Sequence, residues 1–155
     1  MQLDRIPDDV RSLAFDFFYW FSRFEFALKE CGYLKSHEFG APAEPDWREF
    51  AKKHQHDYRL TAAANELIAA NPLRQVVDSA GLGFAPVGLD DRPSDLERVT
   101  RLARTVRNNL FHGGKHGEKT WDDPDRMRTL LPLVIRVLHE LAEYAGIESD
   151  YRRCY

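Results

Sequence analysis

The chain has few cysteines and no long apolar run, and each shortage excludes something. Its two cysteines, Cys31 and Cys154, make no disulfide framework and suit a reducing compartment. No stretch approaches the roughly twenty consecutive apolar residues of a spanning helix, so no helical membrane span is expected. The opening Met1-Gln2-Leu3-Asp4-Arg5 lacks the basic-then-apolar layout of a secretory signal, which makes the cytoplasm the expected location. Internal repeats and low-complexity segments are missing. Metal-ligand clusters are missing too: His54-x-His56 has Asp57 beside it, but no second ligand group stands at convincing spacing. His139-Glu140 completes no recognisable motif, and Gly81-x-Gly83 lacks the strand–turn–helix context of a dinucleotide site. No serine or cysteine has the surroundings of an activated nucleophile.

What is present describes one globular domain over residues 1–155, with 43% apolar and 30% charged residues. The net charge of −3 argues against a protein that coats nucleic acid indiscriminately. The charge is unevenly spread, however. Between positions 98 and 119 stand Arg98, Arg101, Arg104, Arg107, Lys115 and Lys119 against the single acid Glu118, so this segment is strongly basic within an acidic chain. A local basic patch of that kind can hold a phosphate backbone. A solvated helix face is the plainer account of Arg98 and Arg101.

Periodicity predicts an all-α bundle of four to five helices with a long loop before the third. The first helix runs from about Pro7 to Gly32, with Asp8 and Asp9 at its positive end. Val10, Leu13, Phe17, Phe18, Phe21, Phe24 and Leu28 form a wide apolar stripe, which Phe15, Tyr19, Trp20 and Phe26 extend around most of the circumference. Such a helix sits centrally or is covered by a partner. Glu25 falls within that stripe, so an arginine partner is expected, either a structural one or Arg107. A connector over 33–45 precedes a second helix. It is capped by Asp46 with Glu49 three residues on, and it ends at Asn71 before Pro72, as one rod or as two collinear pieces broken near His56-Asp57. Residues 72–93, punctuated by Gly81, Gly83, Pro86, Gly88 and Pro93, read as a surface loop with at most a short extended piece. Ser94 or Asp95 opens the third helix. Asp123 and Pro124 open the last, where Pro132 should kink the helix or mark a second start. The tail from Tyr151 to Tyr155 has no readable role.

The third helix closes on Arg107-Asn108-Asn109-Leu110-Phe111-His112-Gly113-Gly114, with the glycines as its stop signal. Asn108 and His112 are four apart and share a face, whereas Arg107 and His112 lie roughly 140° apart on a straight helix. A shared site therefore requires the helix end to loosen or two copies to meet.

Arg-Asn, three residues, then His at a helix end resembles the Arg-x4–6-His signature of the HEPN superfamily. The resemblance extends over the whole chain. It implies a small helical bundle that pairs as a homodimer, and a metal-independent endoribonuclease of the toxin or defence type that needs no cofactor. RNA is the implied substrate, with an antitoxin or regulatory protein as a candidate partner. His112 would transfer protons, since imidazole titrates near neutrality, and Arg107 would clamp phosphate with its bidentate fork. Asn108 would add a hydrogen bond, and Glu25 would orient Arg107, as an acidic residue on an earlier helix does in some active members. Arg104, Lys115, His116 and Lys119 would hold the RNA backbone. The alternative is a non-catalytic module that binds nucleotide or RNA, or that assembles partners, in which His112 is a macrodipole-favoured helix end and Arg107 only bridges Glu25.

Overall fold

The computed structural model describes residues 6–79, 81–112 and 123–153, and these contain six helices and one two-stranded sheet. Helix α1 (Asp8–Glu30) opens with Asp8 and Asp9 against its N-terminal dipole. It stops in a Schellman turn: Gly32 at φ 81° lets its own N–H reach the Lys29 carbonyl, and the Tyr33 N–H reaches that of Leu28. The helix buries Val10, Phe17, Phe21, Phe24, Ala27 and Leu28. Phe15, Phe18 and Tyr19 stay 67%, 49% and 44% exposed, so the chain by itself leaves an aromatic strip of α1 uncovered.

The second helical region is two helices with separate caps, not a single rod. Asp46 Oδ1 accepts from the Arg48 and Glu49 N–H groups at the start of α2 (Trp47–His54). Thr61 Oγ1 accepts from the Ala64 N–H at the start of α3 (Ala62–Ala70). The sequence between them turns inward, and Tyr58 is buried there. Helix α2 packs on the motif-bearing helix, while α3 packs on both that helix and the last long one.

The expected surface loop over 72–93 contains an antiparallel hairpin, β1 (Arg74–Asp78) against β2 (Gly81–Ala85), in register Arg74 with Ala85 through Asp78 with Gly81. The Val76-Val77 pair carries β1, and Gly81 at φ 121° takes a backbone that other residues resist. The architecture is therefore mostly helical with one small sheet, instead of purely helical.

Helix α4 (Asp95–His112) begins with a reciprocal capping box: Ser94 Oγ accepts from the Glu97 N–H, and Glu97 Oε2 accepts from the Ser94 N–H. Its described part is regular through His112, and the Gly113-Gly114 stop lies outside the described residues. Helix α5 (Pro124–Tyr144) has Asp123 as its cap and Pro124 at its first position. It runs unbroken through Pro132, contrary to the expected second start. A proline costs about 3 kcal/mol inside a helix. Leu130, Leu131, Leu133 and Val134 around it are all buried, and each such side chain contributes about 1.5–3 kcal/mol, which outweighs the lost hydrogen bond.

The tail is an anchor. Helix α6 (Glu148–Arg152) places Tyr151 at 0% exposure, with its ring near Trp20 and Phe24 and its hydroxyl 2.7 Å from His139 Nδ1. Arg23 on α1 donates to the backbone carbonyls of Asp150, Tyr151 and Arg153. The core lies where α1 meets α5 and α6, with α4 closing the side that carries the motif. No helix among the described residues is long and apolar enough to cross a membrane.

Candidate functional site

The residues at 18, 21, 22 and 25 repeat at the spacing that puts them on one face of α1. Opposite them, the last turn and a half of α4 brings Arg107, Phe111 and His112. Phe18, Phe21, Ser22 and Glu25 from the first helix and these three from the second line an open cleft of about 180 Å³. Arg107 and His112 thus border one cleft within a single chain, although α4 stays regular between them. The long arginine side chain spans the angular gap that a short one would not.

Arg107 is held on several sides. Its Nη2 lies 3.5 Å from Glu25 Oε2, and its Nη1 donates to Asn108 Oδ1 at 3.0 Å. The guanidinium carbon sits 5.7 Å from the ring centroids of both Phe21 and Phe111, within cation–π range. Glu25 is fixed from its other side, since Oε1 accepts from the Trp47 indole N–H at 3.1 Å. Two of the five guanidinium N–H groups are engaged by these partners. The side chains of Arg107 and Glu25 keep 34% and 23% exposure, so the pair lies at the rim of the core and in reach of solvent. Glu25 is accordingly half-buried at the edge of its stripe, with an indole as second partner that periodicity gave no means of finding. Phe18 and Phe111, 5.9 Å apart, wall the cleft and are each 49% exposed.

Asn108 accepts from Arg107 and does not line the cleft, so in this arrangement its carbonyl oxygen is already used. Its neighbour Asn109, passed over in the sequence, donates from Nδ2 to the Leu73 carbonyl at 2.6 Å and ties the hairpin base to α4. His112 is exposed at the cleft mouth. Lys115, His116 and Lys119 lie outside the described residues.

No family model, curated protein or solved structure matches the chain. The chemistry of the site therefore rests on its own geometry.

Arg104 borders a different cleft. About 270 Å³ of space opens between α2 and α4, lined by Trp47, Arg48, Ala51, Asp91, Glu97, Thr100, Arg101 and Arg104. Burial pushes the Arg104 guanidinium down from its usual value, nearby Glu25 pulls it up, and Arg107 pushes it down. Arg101 is committed to Asp91 through two hydrogen bonds of 2.8 and 2.6 Å, which raise its pKa. The remaining histidine candidates have structural partners. His54 Nε2 lies 2.8 Å from the Tyr33 hydroxyl, His139 meets Tyr151, and Glu140 accepts from the Thr61 hydroxyl. Among the described residues no three His, Cys, Asp or Glu side chains gather as a metal site would require.

Proposed function

We propose that the protein is a HEPN-type, metal-independent endoribonuclease of the toxin or defence class. The observation that supports this reading best is the meeting of Glu25, Arg107 and His112 on one solvent-reachable cleft. The chemistry fits those side chains. The 2′-hydroxyl oxygen attacks the adjacent phosphorus and the bond to the 5′-oxygen breaks, leaving a 2′,3′-cyclic phosphate and a 5′-hydroxyl. Arg107 bonds the non-bridging oxygens as charge builds, and Glu25 with Asn108 holds the guanidinium in place. His112 moves a proton, either taking it from the 2′-hydroxyl or giving it to the leaving oxygen.

A homodimer accounts for both proton transfers, since two copies of His112 near one axis divide the roles. The uncovered aromatics Phe15 and Phe18, about one helical turn apart on α1, supply the apolar surface such an interface buries. An antitoxin or regulatory protein is the partner that a cytoplasmic enzyme of this class calls for.

The deciding experiment is incubation of pure protein with mixed RNA in excess chelator, with the new ends analysed. Cyclic phosphate and 5′-hydroxyl ends are expected. RNA that stays intact yet bound selects the rival reading, a non-catalytic module for nucleotide or RNA binding or for partner assembly, in which the Arg107–Glu25 pair is only a brace.

A further inference from the structure

The cleft between α2 and α4 has no part in the chemistry just described, and arginines outnumber carboxylates along it. Arg48 and Arg104 line it, and among the described residues neither forms a direct hydrogen bond or ion pair, although the Asp91 charge acts on Arg48 and those of Glu25 and Asp46 act on Arg104. Arg104 is half-buried, and its guanidinium lies between the attraction of Glu25 and Asp46 and the repulsion of Arg107 and Arg101. Arg101 forms part of the wall, but its charge is already matched by Asp91. Glu97 is likewise occupied, accepting from the Ser94 N–H at the helix cap. Two cations with no direct bond of their own among the described residues therefore border a space whose lining carboxylates, Asp91 and Glu97, already accept hydrogen bonds.

The two clefts also share a wall. Trp47 lines this one, and its indole N–H holds Glu25, which lines the other. Arg104 feels the charges of both Glu25 and Arg107. A strand seated at Arg107 thus has a second cationic station one helical turn back along α4.

We propose that the α2–α4 cleft is a phosphate subsite, in which Arg48 and Arg104 bind a nucleotide phosphate flanking the one held at Arg107. This rests on the ribonuclease reading for its substrate, but the subsite is defined by binding and stands apart from cleavage. The same chemistry would accept a backbone phosphodiester or the terminal phosphate of a free nucleotide.

The test uses a fluorescent single-stranded RNA with 2′-O-methyl groups throughout, which 2′-hydroxyl attack cannot cut, and reads anisotropy over a salt series. Arg48→Ala and Arg104→Ala should each weaken binding roughly tenfold, the loss of one charge-assisted contact. Each should also flatten the logarithmic salt slope by about 0.7. Cleavage of unmodified RNA, assayed separately with His112→Ala, reports on the catalytic reading alone. Arg48 is exposed, so its truncation leaves no cavity and the test holds even if Arg104→Ala fails to fold. A nucleoside monophosphate that displaces the probe from wild type but not from Arg48→Ala identifies a free nucleotide as ligand; failure of that competitor identifies the polymer backbone. Wild-type affinity and slope in a folded Arg48→Ala variant would overturn the subsite, whatever the cleavage assay gives.

Discussion

Glu25 and Arg107 meet across the α1–α4 contact with Oε2 and Nη2 3.5 Å apart, while the other carboxylate oxygen is held by the Trp47 indole on α2. One carboxylate so joins three helices at the mouth of the cleft. Its charge sets where the guanidinium rests, and its hydrogen-bond acceptance sets where the indole rests. These two duties are separable by mutation.

Glu25→Gln keeps an acceptor for Trp47 but removes the charge facing Arg107, so it should lower RNA cleavage at least tenfold with a small change in melting temperature. Glu25→Ala also strands the indole N–H, at about 1–3 kcal/mol, and should lower stability as well. Glu30→Gln, an exposed acid on the same helix, is the control. Equal behaviour of all three variants would place Glu25 outside the site.

Arg107→Ala and His112→Ala should each reduce kcat by about 10²–10⁴. His112 is exposed and Arg107 lies at the rim, so neither truncation opens a core cavity and the far-ultraviolet spectrum should be unchanged. Cleavage surviving in both purified variants refutes the catalytic assignment.

Sedimentation at micromolar concentration should give a dimer, and Phe15→Glu should return it to a single 18.0 kDa species. Phe15 is 67% exposed and does not border the cleft, so the change places a charge on the proposed interface without altering a cleft-lining side chain. A wild-type protein that sediments only as the single chain removes the dimer from the mechanism.

Tyr151→Ala should cost about 3–5 kcal/mol, the range for a fully buried large aromatic, although it lies close to the end of the chain. Tyr151→Phe should cost only about 1 kcal/mol, the hydrogen bond to His139. Chemical denaturation separates the two, and equal small losses would mean α6 is not anchored.

Burial holds the His54 and His139 imidazoles below the ordinary 6.5, with Lys53 and Arg152 adding to the effect. The unfolded chain takes up protons at these sites as pH falls through about 6.5, whereas the folded chain resists. Their stabilisation is thus complete above that pH and declines below it, until the folded groups protonate as well. Melting temperature should drop as pH falls below about 6.5, and the His54→Gln/His139→Gln double variant should show a shallower drop. A flat wild-type profile below pH 6.5 contradicts the lowered imidazole pKa values.

The helix boundaries were legible because local chemistry decides them: Asp46, Ser94 and Asp123 each cap where the sequence places a cap. Periodicity likewise selected the buried face of α5 and singled out Glu25 as a carboxylate needing a cation. The break between α2 and α3 was harder to read, because a 3.6-residue period continues across it while Thr61 restarts the helix. The hairpin over 74–85 was hidden by glycines that look like loop residues until strand pairing gives them partners.

Composition and spacing alone determined a mostly helical chain, an amphipathic α4 ending in Arg107 and His112, and an α1 too apolar to be fully covered. These follow from nearest-neighbour sterics and from the cost of wetting apolar surface. Only the tertiary structure decided that Trp47 secures Glu25, that Arg104 turns to a second cleft, and that Tyr151 is core. Each depends on contacts between residues far apart in the chain, which no local pattern encodes. The divergence of Arg107 and His112 on a helical wheel was resolved the same way. A wheel records where side chains start, while the cleft is defined by where their ends reach against α1.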